Sequence, residues 1–381
     1  MATQQLVGGV QSFVLLAIPM FMLSAEIMCK GECAERLLDM VETFVGHIHG
    51  GLSITTATTC TIFGAISGSS QATVVAIGKP MKDRLVKTGN QESDALSLII
   101  SSAIIALLIP PSVCMIMYCV VTGSSVGDLF VAGVGPGLLL RLSFAVYNYI
   151  YARVKKIPTL PKADWAKRIH AVKRGLAPCG FPLIIFVGIY SGIFSPTEAA
   201  AVSVLYAFVL EFFIYKSITL KDLKDAALST AVTTAAIFIL IAAGSVFSWC
   251  LSYAKLPQLI VAALLGDHPS KLIILVLVSA FFFVGCMFVD AMVVIYIVTP
   301  IFFPIAAASG IDPIHLGVII TLQSAIGCVT PPFGCNIFTA CAIFERPFAT
   351  VVRRVWPYIG LMVLVSAIAI LFPQVSLFLI R

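Results

Sequence analysis

Apolar residues fill long blocks of this chain, and short polar stretches separate them. Runs lie at about 7–29, 95–122, 127–152, 177–194, 197–216, 227–252 and 355–380. Longer apolar territory covers 50–86, 257–308 and 313–345. These runs do not alternate apolar and polar residues as the strands of an outer-membrane barrel do. A block of roughly 20 apolar residues crosses a bilayer as a helix. The pattern therefore predicts an all-α polytopic membrane protein.

Composition agrees. Of 381 residues 60% are hydrophobic and 11% charged, too few charges to cover a soluble surface of this size. The formal charge of +6 is no nucleic-acid signal, because Lys and Arg cluster between the apolar runs. The 11 cysteines form no CxxC pair and no Cys/His cluster. Those inside apolar runs, Cys60, Cys114, Cys250, Cys286, Cys328 and Cys341, read as small apolar membrane residues. No positive charge precedes Lys30 and the first run is long for a leader, so no cleavable signal is expected.

Charge sets the orientation. The connection 153–176 carries Arg153, Lys155, Lys156, Lys162, Lys167, Arg168, Lys173 and Arg174 against Asp164 alone, and reads as a cytoplasmic loop. Segment 127–152 then runs outside to inside, and 95–122 inside to outside. Lys79, Lys82, Arg84 and Lys87 fall on the cytoplasmic side, with Lys30 and Arg36. Segment 50–86 thus begins and ends on one face. It must enter and return, with its turn at 67–71 in "GAISGSSQATVVAIGKP". Each arm, if helical, is about 25 Å long, enough to pass the bilayer midplane. Between Lys271 and Arg346 there is no Lys or Arg. The stretch "GCMFVDAMVVIYIVTP", with Asp290 as its one acid, reads as a second hairpin entering from the opposite face.

The two halves share a spacing. Pro110-Pro111 follow Gly64 by 46 residues, and Pro331-Pro332 follow Gly285 by 46. The offset of 221 also aligns Ser69 with Asp290, Ala106 with Gly327 and Cys114 with Cys335. Equal spacing with opposed orientation is the signature of an inverted repeat.

Each Pro-Pro pair interrupts an apolar run, "ALLIPPSVCMIMY" and "GCVTPPFGCNIF". Tandem prolines remove two N–H donors and disfavour helix in the residue before them. Each run should be two half-helices joined by an extended turn. Irregular backbone at membrane depth persists where it is buried in protein or lines a cavity. The freed carbonyls suit a hard cation such as Na⁺, with Ser and Thr hydroxyls completing the shell. A carboxylate at the bilayer centre costs roughly 2.5–3.5 kcal/mol on insertion scales, so Asp290 reads as functional. The bland reading is that Gly and Pro are ordinary in membrane helices and that Ser/Thr hydroxyls bond back to their own helix. "SPTEAA" at 195–200 is explained locally: Ser195 caps, Pro196 takes the first helical position and Glu198 complements the dipole. Three rival functions compete. A Na⁺/H⁺ antiporter or a channel would use Asp290. An intramembrane serine protease would use Ser67 or Ser69 with a histidine base, but His47, His49, His170, His268 and His315 all lie near segment ends or in loops.

The stretches "FGAISGSSQATVVAIG", "IPPSVCMIMYCVVTGSSVGDLFVAGVGPGLLL", "YSGIFSPTEAAAVSVLYAF" and "GCVTPPFGCNIF" resemble the large membrane subunit of the TRAP (tripartite ATP-independent periplasmic) transporters, DctM-like, over nearly the whole chain. Members of that family usually carry further membrane sequence ahead of the equivalent of Val7. The resemblance implies an elevator-type, Na⁺-coupled importer of organic acids in the bacterial inner membrane. It also implies a small four-helix membrane subunit and a soluble periplasmic binding protein as partners. It places one Na⁺ between Ser67 and Ser69 of the first tip and the backbone of Ala106, Ile109 and Pro111. By the repeat, a second lies between Phe288, Asp290, Gly327 and Thr330. The substrate, a dicarboxylate, keto acid or sugar acid, would sit between the tips, near Ser70, Gln71, Thr73 and Asn336. A division follows: an N-terminal helix and amphipathic connection (1–49), a first core (50–125), scaffold helices with the basic loop (126–256), a second core (257–345) and a C-terminal helix (346–381).

Overall fold

The computed structural model describes residues 2–255 and 270–380, so the start of the second core at 257–269, with His268, lies outside the described residues. Among the described residues seven helices are long and apolar enough to cross a membrane. The rest of the membrane-depth structure is shorter and paired.

Two helical hairpins form where the charge map puts them. The first joins Gly51–Ser67 to Ser70–Lys87, and the second joins Lys271–Phe288 to Ala291–Ala308. Two broken helices follow them. Glu92–Ala103 tightens into a 3₁₀ turn at Ile104–Leu107, stops, and resumes as Val113–Thr122. Pro313–Gly327 stops and resumes as Cys335–Phe344. Both Pro-Pro bonds in these breaks are cis. The second arm of each hairpin ends just before a left-handed glycine, Gly89 and Gly310, again 221 residues apart.

Side-chain contacts show that the halves are inverted. Tyr118, late in the first broken helix, donates its hydroxyl to the Pro313 carbonyl, at the start of the second, at 2.7 Å. Arg346, just past the end of the second, pairs with Glu92, at the start of the first, at 2.9 Å. The two broken helices therefore run antiparallel. Lys82 of the first hairpin pairs with Glu92 at 2.8 Å, which puts that hairpin's mouth on the Arg346 face. Lys271 donates to the Gly310 carbonyl at 2.8 Å, closing the second hairpin's mouth beside Pro313. The hairpins enter from opposite faces.

Around them lie the helices Phe13–Lys30, Val126–Val154, Trp165–Tyr190, Pro196–Ile214, Leu220–Tyr253 and Trp356–Leu371. Ser195 and Glu198 form the capping box that the sequence suggested: the Ser195 N–H donates to the Glu198 carboxylate at 2.8 Å and the Glu198 N–H to the Ser195 hydroxyl at 3.3 Å. The amphipathic helix Cys33–Val45 gains an unexpected cap. Glu211, fully buried on a π-helical turn, accepts the N–H groups of Glu32 and Cys33, both at 3.1 Å. A carboxylate at a helix N-terminus is stabilised by the exposed N–H groups and the dipole.

Three boundaries differ from expectation. The first run does not form one span from 7. Gly8 and Gly9 end a short helix, Ala2–Gly8, and the crossing segment is Phe13–Lys30. The basic loop 153–176 is half helix: good helix formers restart at Trp165 and carry their charges into solvent. The C-terminal helix stops at Leu371, because Pro373 cannot continue it.

Candidate functional site

Each hairpin tip rests against the break of its own half. Gly68 turns the first tip with φ +60°, and a Cβ there would collide with the Pro111 carbonyl oxygen. The Val113 N–H donates to the Gly68 carbonyl at 3.4 Å. In the second half the Gly334 N–H donates to the Met287 carbonyl at 3.0 Å. One turn deeper, Gly64 meets Ala106, and its repeat equivalent pairs Gly327 with Cys286 and Phe283. In each case glycine lets two backbones approach where any side chain would hold them apart.

The first tip concentrates oxygen. The Ser67 hydroxyl lies 3.0 Å from that of Thr73 and donates to the Ser69 carbonyl at 3.2 Å. Thr73 also donates to the Ser69 carbonyl, at 2.8 Å. The Ser69 hydroxyl caps the second arm, accepting the Ala72 N–H at 3.4 Å. Opposite stands the break, where Pro110 cannot return an N–H to the Ala106 carbonyl. The preceding turn carries Ser101 and Ser102, fully buried hydroxyls with no hydrogen-bond partner among the described residues. Buried hydroxyls and carbonyls, some of them unpaired, are the kind of donors that a hard monovalent cation takes. At the second tip the Thr330 hydroxyl bonds back to Ile326 at 2.7 Å, and the Phe288 ring packs on Phe333 with centroids 5.6 Å apart.

The tips also meet each other. Gln71 Nε2 donates to Asp290 Oδ2 at 3.4 Å. The Ser70 hydroxyl donates to Asn336 Oδ1 at 2.8 Å, and Asn336 Nδ2 reaches the Ile100 carbonyl at 3.4 Å. Asp290 Oδ1 accepts the Met292 N–H at 3.0 Å, so the acid caps its arm as Ser69 caps the other. Asp290 and Gln71 line a cavity of about 290 Å³ between the hairpins and the helix Leu220–Tyr253. Its walls include Met117, Thr233, Phe247, Met292 and Tyr296.

The structure thus separates the residues that the sequence grouped. Ser67, Ser69 and Thr73 form the oxygen cluster of the first tip, against the break of Ala106, Ile109 and Pro111. Asp290 turns its carboxylate to Gln71 and the cavity. Ser70 and Asn336 are buried on each other, and Thr73 is buried inside its hairpin. Of the four substrate candidates Gln71 alone lines the cavity. Sequence reasoning missed Thr233, Phe247 and Tyr296. The signal for Tyr296 was faint: its ring packs where Gly244 has no side chain, and its hydroxyl lies 2.7 Å from that of Ser245, within a "GS" pair in an apolar helix.

Comparison with known proteins agrees with this architecture. The family model described as "Tripartite ATP-independent periplasmic transporter, DctM component" matches residues 1–375. The chain is 52% identical to the ectoine TRAP transporter large permease protein TeaC of Halomonas elongata, over 99% of this chain and 88% of that one. It is 51% identical to the ectoine/5-hydroxyectoine large permease UehC of Ruegeria pomeroyi, with the same coverage. It is 37% identical to the C4-dicarboxylate large permease DctM of Pseudomonas aeruginosa, over 96% of this chain and 86% of that one. Among solved structures, the YdaH transporter of Alcanivorax borkumensis matches with a TM-score of 0.64 at 12% identity, covering 98% of this chain and 87% of that one. That likeness concerns the fold alone. The opposed hairpins, the paired breaks and these relatives converge: the chain belongs to the DctM family and is a large permease subunit of a TRAP transporter, a multi-pass protein of the bacterial inner membrane.

Proposed function

We propose that this subunit is a Na⁺-driven, elevator-type importer of a zwitterionic organic acid of the ectoine kind. A periplasmic binding protein delivers the substrate, and a small four-helix membrane subunit completes the complex. The substrate reading draws on the two ectoine permeases that are about half identical to this chain. It narrows the organic acids named from the sequence to one that is net neutral. The coupling reading is carried by one observation: a polar hairpin tip rests on a Pro-Pro break whose carbonyls lack helical donors, and the helix leading into that break carries unpaired buried hydroxyls.

In this reading the first ion sits among Ser67, Ser69 and the carbonyls of Ala106, Ile109 and Pro111, with Thr73 added from the structure. The second lies by symmetry among Phe288, Gly327 and Thr330, with Asp290 at its edge on the cavity side. Ion binding draws tip and break together and closes the cavity over the substrate. The two half-cores then slide as one body, because their tips are bonded to each other through Ser70–Asn336 and Gln71–Asp290. A net-neutral substrate has an energetic consequence. Every Na⁺ carried moves net charge, worth roughly 2.3 kcal/mol per 100 mV.

The test is ectoine uptake into proteoliposomes that hold both membrane subunits, with the binding protein outside. Uptake requires an inward Na⁺ gradient and rises with an inside-negative potential. The Ser67→Ala/Ser69→Ala variant should need much more Na⁺ for half-maximal uptake, since losing about 1.4 kcal/mol is a tenfold change in affinity. Uptake unaffected by removing Na⁺ would refute the coupling.

A further inference from the structure

The helix Val126–Val154 carries one charge in its middle. Arg141 is the only charged residue between Asp128 and Arg153, so about 18–20 Å of uncharged helix lies on either side of it. An arginine at such a depth is costly unless something answers its charge, and its default reading is functional.

No acid of the chain answers it. Among the described residues Arg141 makes no ion pair. Its guanidinium donates only to the Thr58 hydroxyl of the first hairpin, from Nη2 at 3.0 Å and from Nε at 3.3 Å. A guanidinium has five N–H donors, so most of its fork stays open. Packing does not require the charge either. The offset of 221 carries 135–150 onto the helix Trp356–Leu371, Arg141 onto Met362 and Thr58 onto Ser279. The second half thus seats the equivalent helix on the equivalent hairpin arm with a buried, uncharged methionine in that place.

The surroundings are those of a lipid. Leu138, Leu142, Val146 and Ile150 are exposed on an aliphatic face, and Arg141 is half-buried at its edge. Within 51–60 of the hairpin arm Thr58 alone is not buried, so the pair lies where the arm reaches that face. Toward the basic loop the same helix carries Tyr147, Tyr149 and Tyr151, then the exposed Arg153, Lys155 and Lys156. Tyrosines mark the headgroup level, and a basic run at a cytoplasmic helix end attracts anionic lipid. Tyr149 is eight residues from Arg141, about 12 Å along the helix. A long side chain that snorkels and a headgroup that dips into the leaflet can close that distance between them. Arginine takes a phosphate through two parallel N–H bonds, which an open fork supplies.

We propose that Arg141 holds the phosphate of an anionic phospholipid of the inner leaflet, drawn in beside the first hairpin, and that Thr58 orients the guanidinium for it. The site is separate from the hairpin tips and rests on the membrane assignment alone, not on the Na⁺ or the substrate reading. The aliphatic face around it favours a lipid over an acid of the small subunit.

The test is native mass spectrometry of the purified complex of both membrane subunits, taken from mixed micelles of phosphatidylglycerol and phosphatidylcholine. The parent should retain a phosphatidylglycerol molecule that Arg141→Met, which copies the second half, releases. Arg141→Gln keeps a donor for Thr58 without the charge and should release it too, which guards against a folding fault peculiar to methionine. Arg153→Gln, at the exposed foot of the helix, should retain it. Phosphatidylglycerol should also raise the melting temperature of the parent and of Arg153→Gln, and leave that of both Arg141 variants unchanged. A parent that retains no phosphatidylglycerol, or retains phosphatidylcholine equally well, would overturn the proposal. So would equal retention by the parent and both Arg141 variants, or displacement of the lipid by inorganic phosphate, which would mark a site for a soluble anion. Loss of the small subunit from the Arg141 variants without any change in retained lipid would name a protein acid as the partner and overturn it as well.

Discussion

Gly64→Ala tests the contact on which the proposed Na⁺ coupling depends. A Cβ at Gly64 would stand 2.6 Å from Ala106 Cα and 2.8 Å from Ala106 Cβ. Carbon atoms rest about 3.5–4.0 Å apart, so the hairpin arm must retreat from the break by about 1 Å. Overpacking of this kind costs about 1–3 kcal/mol. In the proposed mechanism the ion-loaded state needs tip and break together and bears that strain. Half-saturating Na⁺ should therefore rise about 5- to 150-fold. Gly327→Ala should behave alike, since its Cβ would meet Cys286 Cβ at 2.5 Å and the Phe283 carbonyl at 2.8 Å. Gly360→Ala is the control. That helical glycine has nothing within 4 Å, so alanine adds up to about 1 kcal/mol of helix propensity and no clash. The assay is proteoliposome uptake of ectoine across a Na⁺ titration, with protein orientation and amount fixed. Equal half-saturating Na⁺ in Gly64→Ala and Gly360→Ala would refute the reasoning, because tip and break would then not share an ion.

Two further predictions concern topology and the cytoplasmic rim. With the exposed native Cys250 replaced, Lys87→Cys and Lys162→Cys should label from the cytoplasm and Ala308→Cys from outside; labelling of all three from one face would defeat the inverted arrangement. At the rim, hydrogen bonds from Lys82 and then Arg346 hold the Glu92 carboxyl below its ordinary range. A depressed carboxyl stabilises the fold fully above the unfolded pKa of about 4.3, and that contribution fades as pH falls through the lowered folded value. Glu92→Gln should therefore flatten the loss of thermal stability on acidification below about pH 4.3, and a melting curve series with the same acid limb as the parent would exclude that role.

Much of the core was legible because two independent signals agreed. Charge placement forced the segment 50–86 to return to its own face, and the polar run 67–71 marked where. The structure turns at Gly68 and Ser69. The Pro-Pro pairs announced both breaks, because a missing N–H is a property of the residue and not of its surroundings. The start of the helix at Trp165 was hidden, since a basic stretch reads as loop by composition while its residues are good helix formers. Glu211 was hidden too: its partners, the N–H groups of Glu32 and Cys33, lie far away in the chain. The cavity was the least legible part. Its lining comes from both hairpins, from Met117 and from the helix Leu220–Tyr253, and hydrophobic periodicity does not say which apolar face looks at which.

The repeat explains why one polar residue at a tip is ordinary and the other is not. The same backbone device is built twice: arm, tip cap, arm, left-handed glycine, half-helix, cis Pro-Pro, half-helix. Whatever both copies need must be met by both sequences, so features common to the halves belong to the device. Capping the second arm is such a feature, as are the backbone approaches at Gly64 and Gly327 and the carbonyls freed by proline. What differs between the halves is free to serve the cargo. The first tip spends its difference on clustered hydroxyls from Ser67 and Thr73. The second, at the equivalent places Phe288 and Val294, has no hydroxyl and carries a carboxyl on its cap instead. The Gln71–Asp290 bond joins the two tips. In the proposed mechanism coupling needs no long-range relay: a tip drawn onto its break by Na⁺ would move Gln71, and Gln71 already holds the acid that lines the cavity.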